Sequence, residues 1–241
     1  MEIKKRNIKH IFLDVGDTLL YLSIPPGIIY LSVLRKFGLI APDHKDIELK
    51  EKFSSAWSKM NSVMNPDSRD RYNIHPGGQD GWWKELIQNF LESIHGNLDF
   101  EIVEDVYREI FQKFEDESLW RVEESFQDVL QFSREKEIPI GIISNWDYRL
   151  RGLLKRKGLL ELFEPVIVSA EYGYEKPSYR IFEEAEKLSG CKPENLVYIG
   201  DKVELDYVTP NSRGWMAFVL GARKDNIPNL EKLSDLLKFI S

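Results

Sequence analysis

The sequence predicts an α/β protein: a three-layer, Rossmann-like core built on a parallel sheet, with an all-α cap domain inserted near its start. Three observations carry this reading. Short apolar runs rich in β-branched residues recur with helical stretches between them, the alternation of a parallel sheet packed between helices. Several of those runs stop abruptly at polar residues, at Asp14, Ser144 and Asp201. Between the first run and the next lie about a hundred residues of helical pattern, far more than a connection between neighbouring elements needs.

The 241 residues suffice for one domain, or for one domain carrying an inserted second one. Hydrophobic residues at 42% and aromatics at 12% exclude a disordered chain, and the net charge of -7 argues against a nucleic-acid surface, which favours small-molecule chemistry. The single cysteine, Cys191, excludes an internal disulfide and a Cys-rich zinc site and points to a reducing compartment. Residues 1–6 are too charged and too short for a signal peptide, and no uncharged stretch reaches the roughly 18 residues of a membrane span. The expectation is a soluble, cytoplasmic protein, monomer or homodimer, with neither nucleic acid nor membrane as partner.

Taken in order, residues 8–13 form a strand that ends in a turn beginning at Asp14. After Leu20 the pattern turns helical. Pro25 and Pro26 open a helix over 26–37 that Gly38 ends, and a second over 46–60 puts Ile47, Phe53, Trp57 and Met60 on one face. Residues 61–79 carry Pro66, Pro76, Gly77 and Gly78 and read as an irregular loop. Its Arg69, Arg71 and His75 are either solvated charges or contacts for an anionic substrate. Helices follow over 81–94 and 99–114; the adjacent Trp82 and Trp83 at the start of the first point in different directions and are assigned to packing.

From residue 119 the alternation returns: helix 123–137, strand 138–144, helix 148–157, strand 166–169, helix 179–188, strand 196–199, helix 203–212, strand 215–220 and a last helix from 229. The chain therefore divides into a core, residues 1–21 and 119–241, and a cap, residues 22–118. The basic run Arg149, Arg151, Lys155, Arg156 and Lys157 reads as a solvated helix face that complements the dipole at its C-terminus.

The polar residues at the strand ends each have an ordinary and a chemical reading. Asp14 either satisfies backbone donors in a turn or, at the carboxyl end of a strand where ligands gather in such sheets, is a nucleophile. Ser144 and Asn145 either start a helix or hold an oxyanion at its entrance. Lys176 is a solvated loop residue or neutralises a phosphate or the nucleophile. Asp201, followed by Glu204 and Asp206, caps a helix or joins Asp14 in an oxygen-rich site suited to magnesium. Their occurrence in this order, each at a strand end of one sheet, favours the chemical reading.

Through Asp14-Val15-Gly16-Asp17-Thr18, Ser144-Asn145-Trp146-Asp147, Lys176-Pro177 and Gly200-Asp201 to Asp206, the chain resembles the haloacid dehalogenase (HAD) superfamily of aspartyl-nucleophile hydrolases over nearly its whole length. Within it, the chain resembles the HAD-like hydrolase domain-containing protein 3 branch, which also combines a tandem tryptophan in the cap with a changed first motif. The resemblance implies that Asp14 is the nucleophile, that Ser144 and Asn145 hold the transferring group, and that Lys176 balances its charge. It further implies that Asp14, Asp201, Asp206 and the backbone carbonyl of Gly16 bind magnesium, and that the substrate is a small phosphorylated molecule.

One position departs from that pattern. Family phosphatases carry a second aspartate two residues after the nucleophile, as general acid and then base; here Gly16 stands in its place. Asp17 comes one residue later, and a step of about 100° along a helical turn points it elsewhere unless the turn is distorted. Losing a positioned acid costs about 10²- to 10⁴-fold in rate, so good leaving groups are expected: an acyl phosphate, an aryl phosphate or a phosphoanhydride. Two alternatives stay open. A 2-haloacid dehalogenase needs no acid for a departing halide, but that branch replaces the late acidic pair with neutral residues. A catalytically weak binding protein on the same fold is the other.

Overall fold

The computed structural model describes residues 5–41, 46–61, 69–96, 98–221 and 226–240. In chain order the strands are β1 (His10–Leu13), β2 (Leu20–Leu22), β3 (Trp120–Val122), β4 (Ile140–Ser144), β5 (Val166–Val168), β6 (Leu196–Gly200), β7 (Met216–Leu220) and β8 (Asn229–Leu230). Six of them make one parallel sheet in the order β5-β4-β1-β6-β7-β8, and β2 pairs with β3 in a separate two-stranded sheet. Every residue of β1, β4, β6 and β7 is buried. A parallel strand covered on both faces has no solvent side, which is why these segments read as continuous apolar runs.

β1 is central. Leu13 stands beside Ile142 of β4 and Ile199 of β6, and the Asp14 amide extends the ladder by donating to the Ile199 carbonyl at 2.8 Å. From β1 the chain builds outward through β4 and β5 on one side and returns through β6, β7 and β8 on the other. The crevice at the carboxyl ends of the strands where the order reverses is where ligands bind in open α/β sheets. Asp14 follows β1 there, and Ser144 and Gly200 end the two strands beside it.

Two compact units divide the chain, one of residues 22–120 and one of the segments on either side. The first is helical: α1 (Pro26–Lys36), α2 (Asp46–Asn61), α3 (Arg71–Ile74), α4 (Gly78–His95) and α5 (Phe100–Phe114), then a 3₁₀ turn. Aromatic rings fill it, with Phe53 4.5 Å from Tyr30 and 5.3 Å from Phe90 between centroids. Trp82 is buried and Trp83 half-buried, edge to face at 5.0 Å, so both pack. The second unit holds the six-stranded sheet with α6 (Phe126–Lys136), α7 (Arg149–Arg156), α8 (Ser169–Tyr172), α9 (Tyr179–Ser189) and α10 (Val208–Ser212). Among the described residues no helix is long and apolar enough to cross a membrane.

Several expected elements differ. The loop over 61–79 contains α3, because the Asp70 carboxylate caps it by accepting from the amides of Tyr72 and Asn73 at 2.9 and 3.3 Å. The stretch 62–68, with Pro66, lies outside the described residues. The last helix expected from residue 229 is a strand instead: Leu230 pairs with Leu220 and is buried as β8, and only Leu233–Lys238 coils, as a 3₁₀ segment. Completing the sheet overrides local helical preference. The helix expected over 203–212 is divided into a π-helical turn, Val203–Tyr207, and the short α10.

Candidate active site

Asp14 follows β1 and is 8% exposed. Its Oδ1 accepts from the Ser144 hydroxyl at 2.7 Å and lies 3.0 Å from the Lys176 ammonium. Ser144 arrives as the last residue of β4. Lys176, which local sequence reads as a solvated loop residue, is buried at 1% exposure and reaches across to Asp206 Oδ1 at 2.6 Å and to the Tyr198 hydroxyl at 2.7 Å. Asn145 fixes the loop that carries this lysine: its amide donates to the Lys176 carbonyl at 2.8 Å and its carbonyl accepts from the Lys176 amide at 2.6 Å.

Asp206 comes to the same place by a local device. β6 ends at Gly200, and the π-helical turn beyond it folds the Asp206 carboxylate back over that glycine, where Oδ2 accepts from the Lys202 amide at 2.9 Å. A Cβ on Gly200 would lie 2.2 Å from Asp206 Cγ, so only glycine ends this strand. π-turns inside helices concentrate at functional sites, consistent with this one. Asp201, half-buried, pairs with the ammonium of Lys202.

Carboxylate oxygens of Asp14, Asp201 and Asp206 all lie within 4.8 Å of one another. The donor set is all oxygen, which suits a hard divalent cation. Three carboxylates meet two ammoniums, the buried Lys176 and the exposed Lys202, so the centre carries an excess of negative charge that such a cation would balance. The parallel bridge between Gly16 and Leu20 uses the Val15 and Leu20 carbonyls, leaving that of Gly16 outside the pairing. The residues present therefore fit a bound cation.

Burial pushes the Asp14 carboxyl up to about 6; Lys176 and Ser144 work against that rise and Asp206 adds to it. Burial disfavours the charge on Lys176, but Asp14 and Asp206 outweigh it and raise its pKa. Asp201 is raised by burial, against the pull of Lys202. Tyr198 is held well above the usual phenol range, first by burial and then by Asp206 and Asp14.

Other sequence candidates lie elsewhere. Asp17 is exposed with φ of 53°, and Glu204 is exposed. Arg71 stacks over Trp57 and Trp82 at 5.8 and 5.6 Å, and His75 meets Glu85 at 2.9 Å, so both serve the helical unit; Arg69 is exposed. Of the basic run, Arg149 is held by the buried Asp147 and Arg151 by Glu171, so these two are paired rather than merely solvated. Sequence alone does not single out Tyr198; its only signal is a tyrosine, whose hydroxyl needs a partner, inside a fully buried strand.

A buried aspartate after the central strand, flanked by a hydroxyl, a lysine and two further carboxylates, makes this an α/β protein with an acidic site at the carboxyl ends of its parallel strands. A family model described as haloacid dehalogenase-like hydrolase matches residues 8–209, and the chain belongs to that family. HAD-like hydrolase domain-containing protein 3 of Bos taurus is 31% identical over 235 residues, 93% of this chain and 90% of that one. A glyceraldehyde 3-phosphate phosphatase of Methanothermobacter thermautotrophicus is 36% identical over 95 residues, 37% of this chain and 40% of its own. Among solved structures, a HAD hydrolase of Bacillus subtilis described as bound to magnesium superposes with a TM-score of 0.70 at 16% identity, covering 97% of this chain and 98% of that one.

Proposed function

We propose that this hydrolase is a magnesium-dependent phosphatase of a small phosphorylated molecule, working through an aspartyl-phosphate on Asp14. The observation that carries the reading is the Asp14 carboxylate itself, bonded to Ser144 and Lys176 and grouped within 4.8 Å with Asp201 and Asp206. A carboxylate oxygen of Asp14 attacks phosphorus, and the bond to the leaving oxygen breaks with its electron pair going to the leaving group. Water then attacks the same phosphorus, the bond to Asp14 breaks, and phosphate departs with the carboxylate restored. Ser144 and the main chain of Asn145 bind the phosphoryl oxygens, while the Asn145 side chain braces Lys176. Lys176 balances the charge of the nucleophile.

Asp14, Asp201, Asp206 and the Gly16 carbonyl would hold magnesium, which supplies positive charge to the phosphoryl oxygens. Gly16 offers no proton to the leaving group, so the preferred substrates are those whose leaving group departs as a stable anion: acyl or aryl phosphates and phosphoanhydrides. In this reading residues 1–21 and 119–241 are the catalytic core domain and 22–118 a cap domain. The lone free Cys191 fits a cytoplasmic setting.

The test is phosphate release from acetyl phosphate and p-nitrophenyl phosphate. Release is expected to require magnesium and to fall about 10³-fold or more in Asp14→Asn. Chloride release from 2-chloropropionate without metal would replace this reading with a dehalogenase, and silence in both assays with a binding protein. Gly16→Asp is expected to gain about tenfold or more on alkyl phosphates. A Cβ there makes only ordinary contact, 3.5 Å, with the Trp146 ring, so the position has room for a Cβ. No gain in a variant that still binds magnesium would count against the leaving-group argument.

A further inference from the structure

We propose that Tyr198 is a positioning residue: its hydroxyl sets the direction of the Lys176 ammonium toward Asp14. The proposal rests on the reading of Asp14 as nucleophile with Lys176 as its counter-charge. Lys176 has three N–H donors, and three acceptors surround it: Asp206 Oδ1 at 2.6 Å, Tyr198 Oη at 2.7 Å and Asp14 Oδ1 at 3.0 Å. Every proton of a wholly buried ammonium is thereby used.

The tyrosine is oriented to accept. It has one proton to give, and the Ile143 carbonyl takes it at 2.8 Å, shorter than the alternative approach to Asp206 Oδ1 at 3.3 Å. With that proton committed to the backbone of β4, the lone pairs of the hydroxyl face Lys176. Ile143 directly precedes Ser144, so one hydroxyl ties the lysine to the strand end that supplies the other contact to Asp14. The ring is locked as well: Tyr198 has no exposed surface and lies edge to face on Phe182 at 5.5 Å.

Packing alone does not call for the oxygen, because phenylalanine would fill the same volume. Without it, two carboxylates compete for the ammonium, and Asp206 is the nearer. The lysine would then settle on Asp206 and away from the nucleophile, so the loss falls on the chemical step and not on substrate affinity. In this proposal Tyr198 acts through Lys176, and its longer contact to Asp206 Oδ1, 3.3 Å, is the secondary one.

The experiment has two arms, each on wild type, Tyr198→Phe, Lys176→Met and the double variant. In metal-free protein labelled with ¹⁵N-lysine, a buried, thrice-bonded ammonium exchanges slowly. Wild type is expected to show one NζH₃ signal at neutral pH that is absent from Lys176→Met, with a cross-peak to the Tyr198 ring that needs no variant. In Tyr198→Phe the signal should broaden away or shift. A wild type without that signal, or a Tyr198→Phe protein whose signal is unchanged, overturns the proposal.

In the second arm, with magnesium and acetyl phosphate, Tyr198→Phe is expected to lower kcat about tenfold with KM within about twofold, and to cost nothing further in the Lys176→Met background. An unchanged kcat, or losses that add in the double variant, also overturns it. Should wild type turn over neither acetyl nor aryl phosphate, the phosphatase reading falls, and the ammonium signal alone decides what Tyr198 does.

Discussion

The two ends of β1 make a controlled comparison. His10 opens the strand and Asp14 follows it; both are buried and both are pushed by burial toward their uncharged forms, His10 down to about 4 and Asp14 up to about 6. Their surroundings differ. The ring of His10 stacks on Phe12 at 4.4 Å and meets the backbone of Glu164, while its Nε2 has no hydrogen-bond partner among the described residues. Asp14 has a hydroxyl, an ammonium and two neighbouring carboxylates. One end holds a neutral ring as packing; the other holds charge by pairing it.

At the amino ends of β1, β4 and β6 lies an open hollow of about 420 Å³ lined by Asn7, Lys9, Lys136, Glu137 and Cys191 among others. Among the described residues, the group of three neighbouring carboxylates, Asp14, Asp201 and Asp206, lies at the opposite ends of β1 and β6. Buried charge that is compensated sets the carboxyl ends of these strands apart from the amino ends.

Gly200→Ala tests that contrast most severely. The added Cβ would sit 2.2 Å from Asp206 Cγ, so the carboxylate must leave its place between Lys176 and the Lys202 amide. A displacement of that size costs on the order of 100-fold in rate. Phosphate release should fall by about that much and magnesium affinity by calorimetry should drop, with the far-ultraviolet circular dichroism retained. Wild-type turnover in Gly200→Ala would mean that Asp206 does not need its present position.

The opposite shifts also make the two ends respond oppositely to pH. Between about pH 6.5 and 4 the unfolded chain takes a proton that folded His10 refuses, so stability falls on acidification, by about 2 kcal/mol from pH 7 to 5. His10→Leu should remove about that much of the decline in urea titrations of metal-free protein while leaving activity at pH 7 unchanged. For Asp14 the sign reverses: its folded pKa is raised, so its contribution is fully present below about pH 4 and is lost as pH rises through about 6. Asp14→Asn should therefore favour the metal-free fold more at pH 7 than at pH 4. Parallel pH responses of the two variants would break the comparison.

How much of this the chain declares in advance follows from range. Asp14, Ser144 and Asp201 are legible because each interrupts an apolar run, a signal confined to a few neighbours. The insert is legible because a hundred helical residues cannot be a connection. Lys176 is legible as a candidate charge, but its burial is not, since that depends on Asp206 and Tyr198 arriving from beyond α9. Nor is the bracing role of Asn145, whose amide reads as an oxyanion donor until the loop at 176 is seen folded against it. β8 escaped because two residues carry no periodicity, and what makes them a strand is the free edge of β7.

The smallest expected effect is that of Asp17→Asn, and it bears on whether only the paired carboxylates at the strand ends work. Asp17 sits at φ 53° in the left-handed region, its amide donating to the Leu20 carbonyl at 3.0 Å, and its side chain is exposed. Asparagine tolerates that conformation as readily as aspartate, so the turn should survive the change. Its charge is felt at a distance, adding to the rise of the Asp201 carboxyl and favouring the charged form of Lys202. Removing it should ease the ionisation of Asp201, so magnesium affinity should not weaken, and kcat and its pH profile should stay within about twofold of wild type. A tenfold loss with the acid limb of the profile missing would assign the proton transfer to Asp17, and an exposed, unburied carboxylate would then share the work of the strand ends.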